Sequence, residues 1–269
     1  MFCYQQRFDL PTRVVSKEQF WALVRAPYTA QTVKEARAAL ARGNKALYDK
    51  KKKKLPLMIF IGTFDESVKQ KDGKDFNDRW RNQEHVRLNG LVVADYDHVI
   101  EADQTEGSSP KFLDEPSGKA ERGEVRRGLN AGNAGVQTTP TPPNSGGERL
   151  REIWAEAYDK LSDEDKARVV LVFVTPSGEG LKVVFEADVN VGNLIDNQLD
   201  FSAKLGLKLD ESCKDGCRGA FITTAEDIIS INEEKLFTYE NKEFGEKYND
   251  EYRSGHSQPT ISGRILPPE

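Results

Sequence analysis

Apolar residues first recur at helical spacing near the amino terminus. Phe20, Leu23 and Val24 follow a Ser16/Gln19 pair spaced as a capping box. Thr32 and Glu35 form a second such pair, leading into Val33, Ala36, Leu40 and Leu47 on one helical face. The lysine run at 50–54 and Pro56 stop that helix. "LMIFIG" at 57–62 reads as a buried strand ended by glycine, and 65–85 is a charged stretch of loop or helix. "GLVVADYD" at 90–97 returns to strand. Further on, Leu150, Ile153, Trp154, Ala157 and Leu161 share the face of an amphipathic helix. "VVLVFVT" at 169–175 is too uniformly apolar for a half-exposed strand and fits the middle of a sheet. "PSGEG" then turns into "LKVVFEA", making a hairpin with a glycine-rich tip. A helix over 192–205 ends at Gly206, and "AFITT" and "IISIN" are short strands.

Together these elements predict an α+β fold, a mixed or antiparallel sheet with flanking helices, as one domain over residues 1–240. Two stretches break the pattern. Residues 101–147 are rich in Gly, Pro, Ser, Thr and charge with hardly any apolar periodicity. Burial cannot offset the entropy of ordering such a segment, which reads as a disordered insertion. Residues 241–269 read as a polar tail or linker.

Charge and cysteines narrow the function. A net charge of −5 over 269 residues excludes holding nucleic acid through the overall field. A local basic patch at Lys51, Lys52, Lys53 and Lys54 is compatible with it, though such runs are ordinarily solvated surface. Three cysteines, an odd count, argue against a disulfide framework and for a reducing cytoplasm. No apolar stretch approaches the ~20 residues that span a bilayer, and "MFCYQQRFDL" lacks a signal-peptide hydrophobic region, so no membrane partner is expected.

Three places can carry chemistry. Asp95 and Asp97 sit at i and i+2 on a strand, hence on one face, ~6–7 Å apart at Cα by strand rise. On a buried face they repel unless a cation neutralises them, and Mg²⁺ or Mn²⁺ suits paired carboxylates next to phosphate. The alternative is a strand end turning into solvent. In "TPSGEGLK" at 175–182, turn amides and Ser177 gather at the tip and Lys182 projects from the return strand. That can cradle phosphate, or be a plain hairpin. In "LDESCKDGCRGAF" at 209–221, Asp210 is a third acid or a solvated loop residue, and Arg218 is a candidate phosphate ligand. Cys213 and Cys217 are spaced C-x₃-C, but with three histidines in the chain no second Cys/His pair completes a zinc site. His98 should point away from the aspartate face.

The order of these features resembles the archaeo-eukaryotic primase, or primase-polymerase, superfamily, and more closely the VirE N-terminal-like primase-polymerase domain of mobile elements and phages. The stretch "ALYDKKKKKLPLMIFIGTF" at 46–64 is also similar to that group. The resemblance spans roughly 30–100 and 150–232. It implies an RRM-like catalytic core with N-terminal α/β elements, and a template-dependent nucleotidyltransferase using Mg²⁺ or Mn²⁺ in replication of a mobile element or phage. Asp95, Asp97 and Asp210 would hold the metals, and Ser177, Gly178, Gly180, Lys182 and Arg218 the nucleotide. Partners would be single-stranded or primed template, nucleoside triphosphates and a helicase-like ATPase. The pattern departs at Lys182, where many members carry histidine. A lysine holds phosphate as a point charge without imidazole's geometry. The alternative reading is a replication or mobilisation accessory domain, weakly active or inactive, that binds single strands or a partner ATPase. A metal-dependent nuclease using the same acids is a third.

Overall fold

The computed structural model describes residues 1–97, 99, 145–210, 216–255 and 258–259. The expectations for 101–144, for His98 and for Cys213 therefore lie outside the described residues.

The chain opens with two strands ahead of the first expected helix: β1 (Cys3–Gln5) pairs antiparallel with β2 (Thr12–Val14). Three-residue strands leave too little alternation to register as a pattern. Ser16 caps α1 (Lys17–Val24) by accepting from the Gln19 amide, as its spacing predicts. The Gln19 side chain donates instead to the Tyr4 hydroxyl at 2.8 Å, so half of the capping box forms. The second helix, α2 (Pro27–Ala41), starts earlier than the Thr32/Glu35 pair suggests, because Pro27 takes the first helical position. Thr29 and Thr32 lie buried on its inner face. Nor does it run on to Leu47: Asn44 caps a separate helix, α3 (Lys45–Lys52).

"LMIFIG" divides into β3 (Leu57–Ile59) and β4 (Gly62–Phe64), which join different sheets. Most of the charged stretch after it forms a hairpin, β5 (Ser67–Lys71) and β6 (Lys74–Asp78), and only its end is the expected loop and a single 3-10 turn at Gln83–His85. Asp72 and Gly73 turn it with φ of 52° and 71°, the positive pair that an Asp-Gly hairpin turn favours. β7 (Val86–Leu88) pairs with β4, and β8 (Leu91–Tyr96) carries Asp95, with Asp97 just beyond its end.

The second half follows expectation more closely. Helix α4 (Ser145–Asp159) buries Leu150, Ile153, Trp154 and Ala157, and begins inside the segment read as insertion. After α5 (Asp163–Arg168) come β9 (Val169–Val174) and β10 (Leu181–Glu186), joined by the glycine-rich tip. Helix α6 (Leu194–Leu205) has a full capping box at Asn193/Asp196 and ends at Gly206, φ 68°. Then follow β11 (Ala220–Phe221), β12 (Ile228–Ile231) and α7 (Glu233–Thr238). The expected polar tail is corrected over part of its length. Residues Lys242–Arg253 form α8, with Phe244, Tyr248 and Tyr252 buried against the domain core. Its aromatic stripe at i, i+4, i+8 is a helical signal masked by the charged residues between.

The architecture is α+β with antiparallel sheets and flanking helices. Besides the two-stranded β4–β7 and β5–β6 pairs there are two four-stranded sheets, of order β11–β3–β1–β2 and β12–β9–β10–β8, and every pair is antiparallel. β8 and β9 thus run parallel with β10 between them, a split β-α-β unit, and α6 carries β10 across to β12 in the same manner. Both sheets contribute to one cluster of buried residues; Phe60 and Phe173 meet across it with ring centroids 6.2 Å apart.

Candidate metal and phosphate site

The two faces of the second sheet differ in chemistry. Val92, Ala94 and Tyr96 of β8 alternate with Asp95, so Tyr96 and Asp95 leave the strand on opposite sides. On one side α6 covers the sheet: Phe185 stacks on Phe201 at 4.0 Å, and the Tyr96 hydroxyl lies 3.0 Å from that of Ser202. Asp95 and Lys182 occupy the other side, opposite each other in the β8–β10 register. Asp95 is 4% exposed and Lys182 8%, and the two are ion-paired.

Asp210 reaches the same place along the outer edge of β8. Its amide donates to the Asp95 carbonyl at 2.8 Å, continuing the hydrogen bonding of a strand that has β10 on its other side. Asp97 begins the turn after β8 and is exposed. One carboxylate oxygen from each of Asp95, Asp97 and Asp210 lies within 4.8 Å of the other two, among the described residues the one such group of His, Cys, Asp or Glu. Loss of hydration raises the Asp97 carboxyl above its ordinary range. The Asp95 charge adds to this, and Lys182 and Lys52 oppose it.

The hairpin tip is pressed against these acids. A Cβ on Gly180 would stand 2.7 Å from the Tyr96 carbonyl oxygen and 3.1 Å from an Asp97 oxygen, so the glycine permits the approach. Gly178 turns the tip with φ 80°. The Gly178 amide donates to the Thr175 carbonyl at 2.9 Å, and the Thr175 and Ser177 hydroxyls lie 2.8 Å apart. Arg37 of α2 clamps the turn from outside, donating to the Thr175 carbonyl at 3.3 Å and to Asp227 at 2.9 Å.

A cavity of about 660 Å³ opens beside this cluster, within the roughly 300–1,000 Å³ of small-molecule sites. Asp95, Asp97, Ser177, Lys182 and Arg218 line it. Five cationic side chains (Lys45, Lys52, Arg81, Lys182, Arg218) face four anionic ones (Asp49, Asp95, Asp97, Glu179), a balance that accepts an anion bridged by a cation. Asp210 flanks the cavity, with Arg218 3.8 Å from its carboxylate.

The lysine run is resolved residue by residue. Lys52 lines the cavity, its ammonium 5.5 Å from the Tyr48 ring centroid. Lys51 is ion-paired with Glu35 at 2.5 Å, and Lys53 and Lys54 are exposed. Within the expected local basic patch over Lys51, Lys52, Lys53 and Lys54, Lys52 is thus the one that lines the cavity. Sequence reading missed Tyr48, Arg37 and Arg81. Tyr48 had a signal: it precedes Lys52 by four residues on a helix, which puts both on one face. Burial pushes the Tyr48 phenol up to about 12, while a hydrogen bond with Ser177 lowers it. Arg37 and Arg81 come from distant elements and carry no local signal.

The donor set suits a hard divalent cation. All three ligands are carboxylates, and Mg²⁺ or Mn²⁺ prefers oxygen. One oxygen from each lies within 4.8 Å of the other two, so a small divalent cation placed between them would be within reach of all three carboxylates. Among the described residues no helix is long and apolar enough to cross a membrane. The chain matches no protein-family model, no curated protein and no solved structure.

Proposed function

We propose that this chain is a metal-dependent nucleotidyltransferase of the primase-polymerase kind, extending a primer or an initiating nucleotide on a nucleic-acid template. The observation that carries the reading is the convergence of Asp95, Asp97 and Asp210 beside a cavity that also presents Lys52, Lys182 and Arg218. The β-α-β-β-α-β order, with D-x-D at the end of its first strand and the hairpin formed by its second and third, supports it.

Asp95, Asp97 and Asp210 would hold Mg²⁺ or Mn²⁺, which when bound helps ionise an attacking hydroxyl and neutralises charge on the phosphates. Lys182 pairs with Asp95 inside the fold and offers a positive charge to a phosphate entering beside it. Arg218, next to Asp210, presents a planar guanidinium to phosphate oxygens. Arg37 and the two glycines fix the turn, so Ser177 meets the ligand without reorganising.

The test is primer extension with purified protein, Mg²⁺ or Mn²⁺, a primed template and labelled nucleotides. Wild type should extend, and Asp95→Asn with Asp97→Asn should not. Degradation instead of extension would make the protein a nuclease. A second reading, a binding domain that works with a helicase-like ATPase, is favoured by the Lys182–Asp95 pair, which neutralises one metal ligand internally. Strand binding that survives the double substitution, without wild-type synthesis, would select it.

A further inference from the structure

A second stretch of the cavity wall is aromatic. Phe8 and Phe221 meet edge to face with centroids 5.9 Å apart, and both line the cavity that holds Asp95 and Lys182. Phe8 is 45% exposed. A lone exposed apolar side chain needs no explanation, but this one is held in place from beneath. Gln5, 3% exposed, donates its side-chain amide to the carbonyls of Phe8 and Leu10 at 3.3 and 2.7 Å. Its side-chain carbonyl accepts from Arg81 Nε at 3.0 Å, and Arg81 also donates to the Cys217 carbonyl at 3.0 Å. The guanidinium so fixed lies 5.7 Å from the Phe8 centroid, and the Lys52 ammonium 5.3 Å from that of Phe221. A buried glutamine and a doubly bonded arginine thus hold an apolar ring out of the core and in the wall of the cavity.

We infer that the Phe8–Phe221 wall is a stacking subsite for the nucleobase of the nucleoside triphosphate whose phosphates lie at the acid cluster, an inference that rests on the reading proposed above. Rings recognise a base by its face, which every base possesses, so such a wall binds without choosing among bases. That suits an enzyme in which a template makes the choice. Arg81 and Lys52 add cation–π attraction and a positive field at the sugar-phosphate side. A bare polyphosphate would use the acids and cations but not the rings.

The experiment measures dissociation constants for ATP, CTP and inorganic tripolyphosphate by calorimetry, each with Mn²⁺ and no primer, on full-length wild type, Phe8→Ala and Phe8→Trp. Wild type should bind both nucleotides more tightly than tripolyphosphate. Phe8→Ala should weaken both nucleotides roughly tenfold, as loss of one stacked ring does, and leave tripolyphosphate within about twofold. Phe8→Trp should restore nucleotide affinity. Because Phe8 is exposed, thermal unfolding of both variants should match wild type, which separates lost stacking from lost folding. Tripolyphosphate binding with nucleotide affinity unmoved by Phe8→Ala would overturn the subsite and leave the phosphate site standing. If wild type binds neither ligand, the phosphate site falls and the subsite with it.

Discussion

Lys182 stands directly opposite Asp95 across the β8–β10 pair, ion-paired with side chains only 10% and 6% exposed. Two charges this deep persist because each offsets the other's lost hydration. Breaking such a pair costs about 3–5 kcal/mol. Lys182→Met should lose stability of that order in urea unfolding without divalent ions. It should also gain more from added Mn²⁺ than wild type does, because an ammonium no longer competes for Asp95. Equal Mn²⁺ stabilisation of both proteins would disconnect Lys182 from the metal site.

Gly180 has no room for a side chain. An alanine Cβ 2.7 Å from the Tyr96 carbonyl must push the hairpin away from Asp97. Gly180→Ala should lose about 1–3 kcal/mol, the usual range for overpacking, and bind Mn²⁺ more weakly by calorimetry. Unchanged metal affinity would mean that the acids do not depend on the hairpin's approach.

Of the lysine run, the inward residue should matter. Lys52→Ala should weaken tripolyphosphate and single-strand binding, whereas Lys53→Ala with Lys54→Ala should stay within about 0.5 kcal/mol in stability, as surface substitutions do, and bind tripolyphosphate like wild type. Titrations of the two variants side by side decide it. A larger effect from the outer pair would place the binding on the exposed lysines instead.

The segment that reads as a tail should be indispensable. Phe244 is fully buried, and Phe244→Ala should destabilise the fold by about 3–5 kcal/mol. Chemical denaturation measures this directly; a loss under 1 kcal/mol would mean that α8 is not integral to the core.

Asp165 supplies a pH dependence away from the site. Burial would raise its carboxyl, but Lys204, Ser162 and Arg168 outweigh burial and hold it below the ordinary range. A lowered folded-state value stabilises the protein above the unfolded value of about 3.9 and is lost as pH falls through the folded one. Asp165→Asn should therefore melt below wild type at neutral pH, with the gap narrowing as pH falls toward 3. A gap independent of pH would remove the carboxylate from the balance.

The helix-forming face of 150–161, the central strand at 169–174, the hairpin tip and the strand bearing Asp95 were all legible in the chain, because burial imposes periods of 3.6 and 2 on local sequence. The β5–β6 hairpin was not read from the chain, although Asp72–Gly73 is a hairpin-turn pair, because its exposed strands carry no apolar alternation. By itself the sequence determined the α+β class, the strand that carries Asp95 and the hairpin beside it; the structure moves Asp97 off the strand face and into the turn after it. Only the tertiary structure decided that Asp210 joins those aspartates, through one backbone hydrogen bond across 115 positions' worth of chain order. It alone also turned Lys182 onto Asp95, brought Arg37 to the hairpin turn and Arg81 to the cavity, and folded the polar carboxy-terminal stretch into the core. Those outcomes depend on which strands become neighbours, and strand neighbours are chosen by the packing of the whole domain, which no local period encodes.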